Sequence, residues 1–423
     1  MSAEADKTML ARRARVLAPT YQLFYDEPVE FVRASDVWLY DRAGHAYLDA
    51  YNNVPVVGHC HPYVVDELAR QAATLNTHTR YLAEQPLELA ETLLATMPGE
   101  LGRVVFTCTG SEANDLAVRV SKAVTGGTGF IVTEFAYHGV TDVLAGMSPE
   151  DGGRVGPGVY TVAPPQEGEE VTAFADRVRQ CLERMRSDGV RPAALLVDTI
   201  FSSEGVVANP QGLLAEAARV MRAAGGLFIA DEVQPGFGRL GETMWGFARH
   251  GVVPDIVTMG KPMGNGHPVA ALVARPQVLT AFAASTRYFN TFGGNNVSCA
   301  VALAVLKVIR EEKLLENALR SGEYLRRGLE ELATRRPVLQ EVRGAGLFLG
   351  VELVPERGEK MSGAAIAARI VNGMRRRGVL ISATSRAGNV LKIRPPLTFA
   401  IEHADLLLDA LARAIDEELG AGG

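Results

Sequence analysis

The chain is poor in cysteine, lysine and long apolar runs. Four widely scattered cysteines in 423 residues, with no CxxC or other metal-binding spacing, exclude a disulfide-rich scaffold and favour reduced cytoplasmic thiols. No run approaches the roughly 20 apolar residues of a membrane span, and acids in the first seven residues argue against a secretory signal. Basic residues (43) are fewer than acidic ones (49), so the net charge of −6 lacks the basic footprint of a nucleic-acid-binding protein.

What is present is the composition of an ordinary globular protein. Apolar residues make up 47% and charged residues 22%, which excludes disorder as the main state. The length predicts two domains, or one α/β unit with an added lobe. From residue 62, short apolar strands alternate with helices, which predicts a mostly parallel sheet covered on both faces. The predicted strands are Arg103–Thr107, Gly129–Glu134, Ala193–Asp198, Leu227–Asp231, Ile256–Met259 and Val269–Ala274.

Different patterns flank this central part. Met1–Tyr21 predicts a helix, and the Gly/Pro/Glu-rich segment Ser148–Glu170 predicts a long surface loop inside the large domain. After a long helix at Cys299–Arg310, the chain predicts an α+β lobe. The flanking strands are predicted at Val29–Ala34, Val37–Tyr40, Ala46–Asp49, Gly346–Leu353, Val379–Ser382 and Val390–Arg394.

The segment Phe106–Asn114 predicts a phosphate-binding helix start. A strand runs into Gly110 and Ser111 and then into a helix, so backbone N–H groups and the positive helix end would face a ligand. Glycine lets a phosphate approach closely. A simple capped helix after a strand explains the same residues. The segment matches neither GxGxxG nor a Walker motif, so a nucleotide is not indicated.

Two charged residues follow predicted buried strands, Asp231 with its neighbour Glu232, and Lys261. Open α/β sheets bind ligands at these strand ends. A partly desolvated lysine there is nucleophilic, whereas a lysine that reaches into water is the alternative. Three glycines and two prolines between Gly260 and Pro268 favour the first interpretation. The acids could instead be solvated strand ends, and without a further ligand nearby a metal is the weaker functional interpretation.

A fourth feature completes the set. Tyr137 ends another strand and could stack on a flat ring, or be a half-buried loop aromatic. Together, a phosphate-binding helix start, an aromatic, Asp231 and Lys261 are the equipment needed to hold pyridoxal phosphate. The helix start would bind its phosphate, the aspartate would keep its ring nitrogen protonated, and the lysine would form an imine with its aldehyde.

These motifs resemble those of the class III aminotransferases, pyridoxal-phosphate enzymes of fold type I, from about Pro28 to the C-terminus. The resemblance implies a large domain with a mostly parallel seven-stranded sheet and a smaller α+β domain formed by both termini. The implied divisions are 1–61 (part of the small domain), 62–299 (the cofactor-binding domain) and 300–423 (the C-terminal small domain). The motifs that carry it are Val57–Pro62, Thr109–Asn114, Ala136–Gly139, Asp231–Arg239, Gly260–Lys261 and Asn290–Gly294.

The resemblance also implies roles for single residues. Lys261 would form the Schiff base and shuttle the proton, and Asp231 would pair with the pyridinium. A homodimer, or a tetramer, is implied because Thr291 would reach the phosphate of the neighbouring subunit. The other implied cofactor contacts are Val233 and Tyr137 on the two ring faces, Gln234 at the ring hydroxyl, Gly110 and Ser111 at the phosphate, and His138.

Some segments are similar to one subgroup, the ethanolamine-phosphate phospho-lyases, which use the same cofactor to expel phosphate and ammonia. The chain also departs from ornithine-type aminotransferases. Ser203 aligns with their gating glutamate, Glu204 being one place off, and Lys392 aligns with their carboxylate-binding arginine. Arg386 falls where amine transaminases keep a mobile arginine. The similar segments are Asn76–Leu82, Glu112–Ala117, Met259–Pro268 and Tyr288–Phe292.

The substrate end of the site is predicted less sharply. Arg80 could bind a phosphate or a carboxylate, or make a salt bridge at a dimer interface. The candidates to line this end are Tyr51, Asn52, Asn53, Thr79, Arg80, Arg386 and Arg394.

For the function as a whole, we predict an aminotransferase that moves an amino group from a primary amine or amino acid to a keto acid or aldehyde. A phospho-lyase acting on O-phosphoethanolamine or a similar phosphorylated amine is the close alternative. A non-catalytic regulator that binds pyridoxal phosphate and carries a fused DNA-binding domain is disfavoured, because only about 20 residues precede the first family-like strand and no helix-turn-helix follows. A protein without cofactor is disfavoured because Lys261 and Asp231 are both present. We expect a small-molecule amine as partner, a cytoplasmic location, and neither nucleic acid nor membrane.

Overall fold

Three short strands follow an N-terminal helix that is largely exposed over residues 8–16. The computed structural model describes residues 2–152, 155–355 and 361–420. The three strands pair antiparallel in chain order, close to their predicted positions. These elements are α1 (Ser2–Val16), β1 (Phe31–Ser35), β2 (Trp38–Asp41) and β3 (Ala46–Asp49).

A seven-stranded sheet with helices around it forms the centre of the protein. Its elements in chain order are α2 (Pro62–Ala72), α3 (Glu84–Leu94), β4 (Arg103–Thr107), α4 (Gly110–Thr125), β5 (Gly129–Thr133), α5 (Asp142–Ala145), β6 (Val159–Val162), α6 (Ala173–Ser187), β7 (Pro192–Asp198), α7 (Leu213–Ala223), β8 (Leu227–Asp231), β9 (Ile256–Met259), β10 (Ala270–Ala274), α8 (Pro276–Ser285) and α9 (Asn296–Glu311). The spatial order is β4-β10-β9-β8-β7-β5-β6. Only β10 runs antiparallel to its neighbours, so the predicted mostly parallel sheet is confirmed.

The central strands are buried on both faces. Every residue of β5, β9 and β10 is buried, as is Ala193–Val197 of β7. Continuous runs of Ala, Val, Leu and Ile suit such strands. Successive side chains point to opposite faces of the sheet, and both faces are covered rather than open to water. These runs are what made the strands predictable.

One predicted loop is partly wrong. Ser148–Glu170 contains the short edge strand β6, which pairs in parallel with β5, and a 3₁₀ turn at Pro149–Asp151. Only the last residue of β6 is buried, because the strand lies at the sheet edge. The surrounding glycines and prolines, typical of loops, therefore outweighed its four-residue pattern.

The C-terminal part forms a second, smaller unit of helices and strands. Its elements are α10 (Leu314–Arg335), β11 (Leu339–Ala345), β12 (Phe348–Leu353), α11 (Gly363–Arg376), β13 (Val379–Leu380), β14 (Ser382–Thr384), β15 (Val390–Ile393) and α12 (Ile401–Leu419). The order β11-β12-β15-β14 makes an antiparallel sheet. β11 was not predicted, because its half-buried sequence lacks a long apolar run.

The two ends of the chain meet in one further sheet. β13 pairs in parallel with β3, so the order is β1-β2-β3-β13. The single strand predicted at Val379–Ser382 is thus two strands, β13 and β14, which belong to different sheets. The pairing joins residues before 62 to residues after 300, although the proposed domain divisions at 61 and 299 stay predictions.

Candidate active site

Asp231 and Lys261 lie at the same edge of the central sheet. β8 and β9 are parallel neighbours with Asp231 opposite Thr258, and Lys261 follows β9 after Met259 and Gly260. Parallel strands present their carboxyl ends at one edge, so the two side chains converge there. Both line a cavity of about 310 Å³.

Asp231 is held by three hydrogen-bond donors. Its Oδ2 accepts from Nδ2 of Asn114 and from Nδ1 of His138, both at 2.8 Å, and its Oδ1 accepts from the backbone N–H of Val233 at 3.0 Å. The residue is only 4% exposed. A buried carboxylate requires such partners, and here they also fix its direction toward the cavity.

Asn114 is a site residue whose role the sequence did not reveal. Besides its bond to Asp231, its Nδ2 donates to the carbonyl of His138 at 2.8 Å and its Oδ1 accepts from Oγ1 of Thr258 at 2.6 Å. It therefore ties α4, β8 and β9 together behind the cavity. The motif Thr109–Asn114 contained it, but only as a first-turn residue of a helix.

The start of α4 forms one wall of the cavity. Thr109 caps the helix: its Oγ1 accepts from the N–H of Glu112 at 3.1 Å, and the Glu112 carboxylate accepts from the N–H of Thr109 at 3.2 Å. Gly110 and Ser111 both line the cavity. A Cβ on Gly110 would lie 2.8 Å from Cγ2 of Val233, so glycine is required by the close packing.

The remaining predicted ring contacts also surround this cavity. Tyr137, His138, Val233 and Gln234 all line it. Nε2 of His138 is buried and has no hydrogen-bond partner among the residues that the structure describes. A helix N-terminus for a phosphate, a fixed carboxylate for a ring nitrogen, an aromatic and an amine are the groups that pyridoxal phosphate requires. The residues present therefore fit this cofactor.

Lys261 begins a 3₁₀ turn that the N-terminal part of the chain holds in place. The turn spans Lys261–Gly264 and ends at Asn265. Oδ1 of Asn265 accepts from the N–H of Val57 at 3.0 Å, and its Nδ2 donates to the carbonyl of Gly58 at 2.8 Å. Val57 and Gly58, at the start of the motif Val57–Pro62, therefore hold the turn that carries Lys261.

The surroundings of Lys261 favour its neutral form. Burial lowers the pKa of Lys261 to about 8, and the positive charge of Arg394 acts in the same direction, whereas Asp231 and Asp198 oppose it. A substantial fraction of the amine is then unprotonated near pH 8. Asp198 lines the same cavity, and burial together with the charge of Asp231 raises its pKa.

A second cavity of about 520 Å³ opens from the first. The two share Tyr137, Gln234 and Lys261. Its other charged and polar walls include Asp26, Tyr51, Glu150, Ser203, Lys392 and Arg394. Lys261 therefore lies at the junction of the two cavities.

Lys392 and Arg394 are buried basic residues in this second cavity. They are 6% and 7% exposed, and burial lowers the pKa of both, that of Lys392 well below its usual value. Arg394 Nη1 donates to Oε1 of Gln234 at 2.5 Å, and its guanidinium lies 4.8 Å from the Tyr51 ring centroid. Its Nε is buried and finds no hydrogen-bond partner in residues 2–152, 155–355 and 361–420. Such cations attract an anionic ligand.

The structure separates the predicted substrate-binding residues into two groups. Tyr51 and Arg394 line the second cavity, and Asn53 reaches it indirectly by donating from Nδ2 to Oε1 of Gln234 at 2.8 Å. Arg80 and Arg386 are exposed and line neither cavity. Arg80 lies 3.8 Å from the Phe289 ring centroid, and Arg386 lies 3.4 Å from Glu134.

Thr291, the predicted phosphate contact, is likewise exposed and outside both cavities of its own chain. Within the described residues, no group of three or more His, Cys, Asp or Glu side chains could hold a metal ion. In the same ranges, no helix combines the length and the apolar character needed to cross a bilayer.

Fold and site together define a pyridoxal-phosphate-dependent enzyme of fold type I. The chain belongs to the family described as Aminotransferase class-III, whose model matches residues 23–415. This membership confirms the family predicted from the sequence motifs.

Three similar proteins show the range of activities in this family. An alanine–glyoxylate aminotransferase 2-like protein of Drosophila melanogaster is 39% identical, over 95% of this chain and 86% of that protein. A phospholyase from Arthrobacter, solved in complex with phosphoethanolamine, is 42% identical with a TM-score of 0.92, covering 96% of this chain and 99% of the other. An (S)-enantioselective omega-transaminase from Thermomicrobium roseum is 30% identical with a TM-score of 0.86, covering 99% of each chain.

Proposed function

We propose that the enzyme transfers an amino group from a primary amine or amino acid to a keto acid or aldehyde, with Lys261 and Asp231 as its catalytic residues. The observation that carries this is the position of Lys261. It is the amine that lines both the cofactor-sized cavity with Asp231 and the adjoining cavity with Arg394. A substrate in the second cavity would therefore meet a group that can give and take protons.

Pyridoxal phosphate, when bound, supplies an aldehyde that condenses with amines and a protonated ring that withdraws electrons. Gly110 and Ser111 would hold its phosphate, and Tyr137 and Val233 would enclose its ring. Gln234 would contact the ring hydroxyl, and His138 would support Asp231 from behind through their 2.8 Å hydrogen bond. Each of these residues lines the first cavity.

The chain's own contribution to the reaction is proton transfer and charge stabilisation. Nζ of Lys261 would remove the proton from the substrate carbon next to nitrogen, then deliver a proton for the return step. Its pKa of about 8 suits both roles near neutral pH. Asp231 would stabilise positive charge on the ring nitrogen, because three donors hold its carboxylate in a fixed direction.

A phospho-lyase activity is the second candidate, and a specific observation favours it. Lys392 and Arg394 place two buried basic side chains in the cavity beyond Lys261. A phosphate on the carbon adjacent to the amine-bearing one would be attracted there, and would be a leaving group after proton removal by Lys261. The similar Arthrobacter phospholyase was solved with phosphoethanolamine.

One incubation separates the two candidates. Phosphoethanolamine is added to the holoenzyme without any keto acid, and free phosphate and ammonia are measured. Stoichiometric release of both selects the phospho-lyase. Conversion of the cofactor to its amine form by simple amines, reversed by pyruvate or 2-oxoglutarate, selects the aminotransferase.

We further propose a homodimer in which Thr291 reaches the partner's cofactor phosphate. The exposed segments around Arg80 and Thr291 carry large apolar side chains, with Tyr81 66% and Phe292 69% exposed. Such surfaces are typical of association sites. Light scattering checks this, since a catalytically competent monomer would contradict it. A tetramer and the cytoplasmic location stay predictions from the sequence.

A further inference from the structure

The cavity beyond Lys261 has a carboxylate that the proposed reaction does not use. Glu150 comes from the 3₁₀ turn Pro149–Asp151 and lines this cavity together with Lys392 and Arg394. Oε2 of Glu150 accepts a hydrogen bond from Oγ of Ser203 at 2.9 Å. Asp26, an exposed acid of the N-terminal segment, also lines the cavity.

Glu150 makes hydrogen bonds to segments on both sides of Lys261, one beside the first cavity and one beside the second. Its N–H donates to the carbonyl of Ala136 at 3.1 Å, next to Tyr137. The carbonyl of Ser203 accepts from the N–H of Ser385 at 3.1 Å, just beyond β14, which pairs with β15 so that Ser382 lies opposite Lys392. Ser203 thus links the Glu150 carboxylate to the strand pair that carries the buried lysine.

Electrostatics connect Glu150 to all three cations of the cavity. Its negative charge opposes the effect of burial by raising the pKa values of Lys261, Lys392 and Arg394. Among the described residues, the Glu150 carboxylate is held by one hydrogen bond, from the neutral hydroxyl of Ser203. Such a bond contributes little net free energy, so the carboxylate can leave it for a contact with a charged group. The Glu150 charge offsets part of the positive potential that an anion meets beside Lys392 and Arg394, and its removal makes that potential more positive even though it also lowers the pKa of Lys392.

We propose that Glu150 is a specificity-determining residue, whose carboxylate serves as the counter-ion of Lys392 and Arg394 until an anionic group of the substrate replaces it. The substrate class is then a short amine that carries an anion at its far end. This role of Glu150 deepens the proposed function, and it rests on that function because it requires the substrate amine to point toward Lys261. Glu150 competes with that anion, so its charge weakens the binding of strongly anionic substrates and spares neutral amines.

The test is Glu150→Gln, which keeps the size of the side chain and an oxygen for Ser203 but removes the charge. KM and kcat of the holoenzyme are compared for propylamine, β-alanine and phosphoethanolamine, whose far ends are neutral, singly and doubly charged. We expect KM to fall about tenfold for phosphoethanolamine, about threefold for β-alanine and not at all for propylamine, because Coulomb attraction grows with charge. Equal changes for all three amines would overturn the proposal.

Glu134→Gln is the matched control. Glu134 is an exposed acid at 3.4 Å from Arg386, outside both cavities, so this variant loses the same charge without changing the cavity. We expect its KM ratios to equal those of the wild type. The same selectivity change in both variants would show a long-range charge effect and would also overturn the proposal.

A second measurement does not depend on turnover. Inorganic phosphate is titrated calorimetrically into the wild-type and Glu150→Gln holoenzymes, where bound cofactor already fills the first cavity. We expect about tenfold tighter binding to the variant, and unchanged affinity would contradict the role of Glu150. If none of the three amines reacts with either protein, the proposed function fails while this titration still decides the inference.

Discussion

The two halves of the site differ in how the chain builds them. The cavity of Asp231 and Lys261 is formed largely by segments that follow strands of one parallel sheet, or that start a helix beside it. The cavity of Lys392 and Arg394 combines the N-terminal segment around Tyr51, the loop at Ser203 and the strand pair β14–β15. Local strand-and-turn patterns therefore determine the first half, whereas the packing of distant segments determines the second.

The largest expected effect is in the first half. Lys261→Ala removes the lysine that, within the described part of the chain, alone lines both cavities. We expect turnover to fall by about 10³-fold or more, because both proton transfers lose their base, and the visible absorbance of the bound cofactor to disappear. Lys307→Ala is the control, because this lysine donates a hydrogen bond to Tyr63 and lines neither cavity. Retained absorbance at the wild-type wavelength in Lys261→Ala would contradict the assignment.

Asp231→Asn tests the other member of the pair with almost no change of shape. Its neighbours Asn114 and His138 stay in place, but the carboxylate charge that faces the ring nitrogen is lost. We expect kcat to fall about 100-fold, the scale of losing one fixed electrostatic contact to developing charge. Steady-state kinetics at saturating cofactor measure this, and a loss restricted to cofactor affinity would argue for a binding role alone.

The second half is tested by two arginines predicted to bind substrate. Arg394 is buried and bonded to Gln234, whereas the Arg386 side chain is 76% exposed. We expect Arg394→Ala to raise KM for an anionic amine about 10- to 100-fold, as loss of a charged hydrogen bond does. Arg386→Ala should change KM less than about twofold, since exposed ion pairs contribute little. Equal effects would show that Arg386 moves into the cavity on binding.

The smallest expected effect is on how the stability of the folded protein depends on pH, through the buried carboxyl of Glu204. Burial raises the pKa of Glu204 to about 7, with the charge of Asp198 acting in the same direction and the hydroxyl of Thr133 opposing it. The folded protein thus binds this proton more tightly than the unfolded chain. The stability it contributes is fully present below the ordinary pKa of 4.5 and is lost as the pH rises through 7.

Glu204→Gln removes this titration. We therefore expect the drop in Tm between pH 5 and pH 8 to be smaller in the variant than in the wild type, as measured by circular dichroism. Exposed Glu134→Gln serves as the control and should leave the drop unchanged. A variant whose Tm falls as steeply as the wild type would show that Glu204 does not titrate in this range.

The sequence was most informative where a residue lies close to a regular element. Asp231 and Lys261 follow buried apolar strands, and Gly110 starts a helix with a full capping box, so their convergence could be predicted. Asn114 was missed because a polar residue in the first helical turn has no distinct signal. Its three hydrogen bonds exist only once α4 packs on β8 and β9.

The substrate half could be predicted only in part. Tyr51 and Arg394 were found, but so were Arg80 and Arg386, because sequence spacing does not distinguish a buried arginine from an exposed one. Glu150 was not found, since its turn lies in a segment that was predicted to be a surface loop. Its position depends on contacts with Ala136 and Ser203, which are 14 and 53 residues away in the chain.

The contacts of Ala50 have a consequence for redesigning this enzyme. Its N–H donates to the carbonyl of Leu380 at 3.0 Å, and its carbonyl accepts from the N–H of Arg394 at 2.9 Å. These two hydrogen bonds join the N-terminal segment, one residue before Tyr51, to the C-terminal segments at Leu380 and Arg394. Exchanging only one terminus with a homologue would misalign this junction, so chimaeras with altered selectivity should inherit both termini from the same parent.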